Sequence, residues 1–160
     1  MDFELSPVEA RIIGALMEKE RTTPGNYPLS LNALTNACNQ KSNRNPVLDI
    51  SEDLIAGALD GLGFHRKLTK RQLSEDSRVP KYRHDITDVF SLSPQEYAVI
   101  CVLLLRGPQT LGEIRGRTER LYNFENLETV EQTLTELANR EDPLVKQLPR
   151  QPGRKEARYG

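Results

Sequence analysis

The pentapeptide Leu5-Ser6-Pro7-Val8-Glu9 returns, changed at one position, as Leu92-Ser93-Pro94-Gln95-Glu96. In each copy the serine hydroxyl is placed to accept from the amide three residues on, the glutamate to reach back, and proline holds the first helical position. A helix start written twice restricts the chain to folds in which one small unit is repeated. The first helix carries Val8, Ile12, Ala15 and Leu16 at helical spacing, with Ile13 and Met17 alongside, until the charge run Glu18-Lys19-Glu20-Arg21. Thr22 to Pro28 reads as loop.

Later signals keep the same order in both copies. Tyr27 to Pro46, YPLSLNALTNACNQKSNRNP, reads as a short strand, a helix capped by Ser30 with Leu31, Leu34 and Cys38 on one face, and an asparagine-rich turn. Thr110-Leu111-Gly112-Glu113 is the matching cap. Ser51, followed by Glu52 and Asp53, opens a third helix with Leu54, Ile55, Ala58, Leu59 and Leu62, ending at Gly63. Its counterpart starts near Asn126 with Val130, Leu134 and Leu137. Strand-like runs Phe64–Leu68 and Val79–Arg83 flank a polar tip at Gln72–Ser77, and Leu144–Leu148, Pro149–Gly153 and Ala157–Tyr159 repeat that hairpin. The expected fold is mainly α with small β-hairpins (α+β): two tandem winged helix-turn-helix domains, residues 1–89 and 90–160.

One copy departs from amphipathic patterning. Ala98 to Leu105 is apolar all round, which predicts burial against the other domain or a second chain, with Ala98, Cys101, Val102 and Leu105 as interface candidates.

Winged helices ordinarily lay their third helix in the major groove, and the charges oppose that here. Glu52, Asp53 and Asp60 stand in the first such helix with no Lys or Arg; in the second, five Glu and one Asp face Arg140 alone. The hairpins are the reverse. Between Phe64 and Asp85, Arg66, Lys67, Lys70, Arg71, Arg78, Lys81 and Arg83 outnumber three acids; between Pro143 and Gly160, Lys146, Arg150, Arg154, Lys155 and Arg158 face only Glu156. Contact with phosphate, the main source of affinity for nucleic acid, would therefore be led by the hairpins, helped by Lys41 and Arg44 of the turn. Asn39 and Asn43 of that turn are further candidates, although asparagine also serves turns through local hydrogen bonds. Basic hairpins equally protect exposed edges and aid solubility.

Composition narrows the rest. A net charge of -1 argues against a chain that simply coats nucleic acid, and 37% hydrophobic with 28% charged residues suits a globular protein. With no secretory signal and no run of roughly 18 apolar residues, a cytoplasmic setting is expected. Cys38 and Cys101, both inside helices, read as buried free thiols. His65 and His84 flank the first hairpin and are placed to face one another on paired strands, but without Cys or carboxylate at metal spacing. No phosphate loop, zinc-protease helix or nucleophile elbow is present, and Tyr27, Tyr82, Tyr122 and Tyr159 are too scattered for a base-stacking platform. No catalytic residue, metal, cofactor or small-molecule substrate is expected.

The segment LSPVEARIIGALMEKE followed by YPLSLNALTNACNQKSNRNP resembles the YceH-like family of uncharacterised bacterial proteins, which is similar to tandem winged-helix folds. The resemblance implies that fold and a bacterial cytoplasmic setting, and no activity or site residue. Because such proteins look as if they continue past the second hairpin, the chain is expected to be part of a longer one. Two functions, not mutually exclusive, are expected: a DNA-associated regulator with hairpin-led phosphate contacts, or alternatively a protein-interaction module, a homodimer or scaffold that uses the acidic third helices and the apolar helix.

Overall fold

In the computed structural model, which describes residues 5–73, 78–149 and 156–160, the capping boxes close. Ser6 Oγ accepts from the Glu9 amide at 3.1 Å and Glu9 Oε1 accepts from the Ser6 amide at 2.9 Å, opening α1 (Pro7–Thr22). Ser93 and Glu96 do the same for α5 (Pro94–Arg106), and Thr110 and Glu113 for α6 (Leu111–Arg117). Single side-chain caps, Ser30, Ser51 and Asn126, start α2 (Leu31–Cys38), α3 (Glu52–Phe64) and α7 (Leu127–Ala138). Each cap satisfies an amide that has no partner within its helix.

The strands are short. β1 (Leu29–Ser30), β2 (Thr69–Gln72) and β3 (Lys81–His84) form an antiparallel sheet in the order β1-β3-β2, with Leu29 opposite Tyr82 and Thr69 opposite His84. In the second half β4 (Gln147–Leu148) pairs with β5 (Arg158–Tyr159), and Gln109 bridges to Tyr159 just as Leu29 meets Tyr82. Tyr82 and Tyr159 therefore hold equivalent places in the two halves. The architecture is mainly helical with small antiparallel sheets, and the order of elements after α1 recurs after α5.

Two local expectations are corrected. α3 runs through Phe64 instead of stopping at Gly63, and the chain turns at Lys67, in the left-handed region with φ 56°, where the Leu68 amide returns to the Leu62 carbonyl at 2.9 Å. That displaces the first strand of the hairpin from Phe64–Leu68 to Thr69–Gln72. A short helix, α4 (Ile86–Phe90), joins the halves without a side-chain cap. Both expected hairpin tips fall largely outside the described residues: 74–77 in the first, and 150–155 in the second, with Arg150, Arg154 and Lys155.

α1 and α5 pack most extensively against each other. A Cβ at Gly14 would stand 2.9 Å from Leu105 Cγ and Cδ2 and 3.1 Å from Leu104 Cβ, so glycine is what lets the helices approach. The Cys101 thiol donates to the Gly14 carbonyl at 3.5 Å across this seam. One hydrophobic cluster, including Ile12, Leu16, Leu34, Leu62, Val102, Ile114 and Leu134, is continuous through both halves. At roughly 1.5–3 kcal/mol for each large side chain buried, against about 1 kcal/mol for a typical hydrogen bond, this shared cluster dominates the stability of the pair.

Candidate nucleic-acid interface

The hairpin of the first half sorts its cations by strand alternation. Lys70 pairs with Arg83 and Gln72 with Lys81, so these four side chains stand on one face of the β2–β3 ribbon. The opposite face carries Thr69 and His84, both buried, then Arg71 beside Tyr82. Lys70, Arg71 and Lys81 are exposed, as is Lys67 at the turn before β2, and Arg83 is half-buried. Two partners of opposite charge temper the patch: Asp85 lies 3.5 Å from Lys70, and Glu9 lies 3.3 Å from Arg66. Arg66 is therefore engaged with α1.

The asparagine-rich turn is held from inside. Arg44 is buried, its guanidinium forked onto Glu18 at 2.7 and 2.9 Å and donating also to the carbonyls of Ala37 and Asn43. It has no face toward solvent, so its expected phosphate role is withdrawn. Arg11, also buried, donates to the carbonyls of Cys38 and Pro46. Asn39 exchanges two hydrogen bonds with the backbone of Ile50, at 2.7 and 2.8 Å, and Asn43 takes the left-handed conformation, φ 56°. Both asparagines thus do the structural work that turns require. Of that turn's candidates only Lys41 is exposed.

Glu18 was the residue sequence reasoning missed. It reads as the first member of a solvated charge run, yet its side chain is fully buried and meets Arg44, Arg120 at 2.8 Å and Lys19 at 3.3 Å. Burial alone would raise its carboxyl; hydrogen bonds from Arg44 and Arg120, with the charges of Arg44 and Lys19, reverse this and hold it at about 2. The available signal was position: Glu18 lies three residues beyond Ala15, on the stripe that faces the core.

His84 joins three elements. The Ile86 amide donates to Nδ1 at 3.2 Å, which puts the ring proton on Nε2, facing Glu20 Oε1 at 2.9 Å and the Tyr97 hydroxyl at 3.1 Å. Tyr97 in turn reaches the Met17 carbonyl at 2.7 Å, and Arg21 stacks over its ring at 4.4 Å. Burial lowers the His84 pKa despite the Glu20 charge, which favours the neutral ring. His65 caps the end of α3 and Thr69 is what faces His84, so the expected histidine pair across the strands does not form. Burial pushes the Cys38 thiol up to about 12 and Cys101 higher still, leaving neither as a thiolate near neutrality.

The interface candidates Ala98, Cys101, Val102 and Leu105 are all buried within the one chain, on the helix that α1 covers. Of the two expected coverings it is the other half that supplies it, and none of the four is left for a second chain. α3 turns outward Glu52, Asp53 and Asp60 together with Leu54, 62% exposed, and Phe64, 81% exposed. On α7 the exposed positions include Glu128, Glu131 and Glu136. Among the described residues no helix is long and apolar enough to cross a membrane.

Residues 5–154 match the family described as "Protein of unknown function, DUF480". The chain is similar to a UPF0502 protein of Pelobacter propionicus, 57% identical over 159 residues that cover 99% of this chain and 72% of the relative. A UPF0502 protein of Geobacter sulfurreducens is 54% identical over the same shares, and one of Shewanella is 52% identical over 98% of this chain and 72% of its own length. These relatives bear out the family likeness drawn from residues 5–46.

Proposed function

The chain belongs to the DUF480 family of bacterial proteins, and from that premise we propose that it consists of two winged helices in tandem, 1–89 and 90–160, that associate with duplex DNA through the first hairpin. The observation that carries the reading is the one-sided placing of Lys70, Lys81 and Arg83 on the β2–β3 ribbon, with Lys67 and Arg71 exposed nearby. α3 and α7 turn carboxylates outward, so neither serves as a reading helix. Contacts of this kind fall on phosphates and bring affinity without base selectivity. The protein acts in the cytoplasm as a binding protein and not as an enzyme.

Fluorescence anisotropy with a mixed-sequence duplex at low salt tests this. Binding is expected in the range of about 10⁻⁶–10⁻⁴ M and weakens steeply with salt, log K falling by about 0.9 per phosphate engaged for each tenfold rise in salt. Replacing Lys70, Lys81 and Arg83 together by Ala reduces the affinity at least tenfold and flattens the salt slope. No binding at hundreds of micromolar, or a triple variant that binds as the parent does, removes the reading. A second reading, assembly through protein contacts, is favoured by the exposed Leu54 and Phe64 on α3.

A further inference from the structure

α3 carries a surface that hairpin-led DNA contact leaves unused. Leu54, Gly57, Gly61 and Phe64 follow one another at steps of three, four and three residues, which sets them along one outward line of the helix. Both apolar side chains are mostly exposed. Nothing lies within 4 Å of where a Cβ would stand on Gly57 or Gly61, so the line is a shallow trough with an apolar side chain at each end.

We propose that a second copy of this chain fills the trough, its α3 running antiparallel about a two-fold axis that crosses the trough midway between Gly57 and Gly61, at the level of Leu59 on the opposite, buried face. In that register Leu54 of each copy meets Phe64 of the other, and Gly57 meets Gly61, where the missing side chains let the backbones close in. An isologous interface requires a surface that maps onto itself through its two-fold, and this pattern does so about a single point. Charge selects the direction. Asp53 of the acidic first turn comes beside the end of the partner helix, close to exposed Lys67, and the two helix dipoles oppose. A parallel pairing would instead stack acid on acid. Arg66 stays with Glu9 of its own chain. Asp60, next to the axis, meets its own copy and is the one like-charge contact in the arrangement.

Sedimentation of the full chain is expected to show a concentration-dependent dimer. L54D and F64D each weaken it at least tenfold, and neither changes the far-ultraviolet circular dichroism, since both side chains are exposed. D60N strengthens it severalfold. The double variant L54C/F64C cross-links into a covalent dimer on mild oxidation, whereas either single variant does not. The two positions are about 15 Å apart along one helix at 1.5 Å per residue, beyond the roughly 7 Å a disulfide spans, so the bond must join two copies; native Cys38 and Cys101 are buried. A monomer at hundreds of micromolar overturns the proposal, as does a dimer indifferent to L54D. Cross-linking by L54C alone overturns the antiparallel register.

Discussion

The turn between α2 and α3 and the ribbon β2–β3 look alike as strings: polar, basic and free of long apolar runs. In the fold they are opposites. The arginine of the turn is withdrawn onto Glu18 and carbonyls, while the lysines of the ribbon stand in water. The difference follows from the side chains. A guanidinium presents five donors in a flat fork that can be satisfied by a carboxylate and neighbouring carbonyls away from water, whereas an ammonium holds its hydration strongly. A buried ion pair is costly to break from one side, and an exposed lysine contributes little to stability whichever way it points.

The sharpest way to break the comparison is to replace Arg44 by Ala. Leaving Glu18 buried without its main partner should cost about 3–5 kcal/mol in urea unfolding, whereas Lys41→Ala, three positions away, should stay within about 0.5 kcal/mol. Equal losses would show that the turn is not clamped from within.

Acid should expose the same asymmetry. The Glu18 carboxyl is held near 2 in the fold against 4.5 for the free group, so between those values the unfolded chain binds the extra proton. Stability from this group is complete above pH 4.5 and declines as pH falls toward 2, by about 3 kcal/mol at 1.36 kcal/mol per pH unit of displacement. His84 adds to the decline from higher pH. Its pKa is lowered from 6.5, so below that value the unfolded chain takes up a proton that the buried ring resists. Denaturant midpoints measured from pH 7 downward should fall for the parent and fall less steeply through the carboxylate range for the Arg44 variant.

Gly14→Ala should cost about 1–3 kcal/mol, because the added methyl meets Leu105 and Leu104 across the α1–α5 seam; thermal melting reads it. Smallest of all, Lys70→Ala, Arg71→Ala and Lys81→Ala should each move stability by no more than about 0.5 kcal/mol. For those three the expected loss is in duplex binding alone.

Helix starts were open to sequence reading because their signals are local. Ser6 with Glu9, Ser93 with Glu96 and Thr110 with Glu113 each complete a motif within four residues, and all three form. α4 offered no such handle, since Asp85 precedes it without a cap bond. The strand shift of the first hairpin depended on Lys67 entering the left-handed region, which glycine or asparagine would have signalled and lysine does not. Arg44 was misread for a different reason. Its partner stands on α1, and nothing in the local sequence of either residue marks the other. The tyrosine echo, Tyr82 with Tyr159, was legible and marks equivalent places in the two sheets.

Glu18 is also grasped by Arg120, which belongs to the far side of the α1–α5 seam. The carboxylate of the first half is thus held in part by the second, and drawing the halves apart takes away one of its two guanidinium partners. Heating should accordingly melt the chain in one step, and a gene shortened to its first 89 codons should yield a product that clumps, having lost the lid over its central helix.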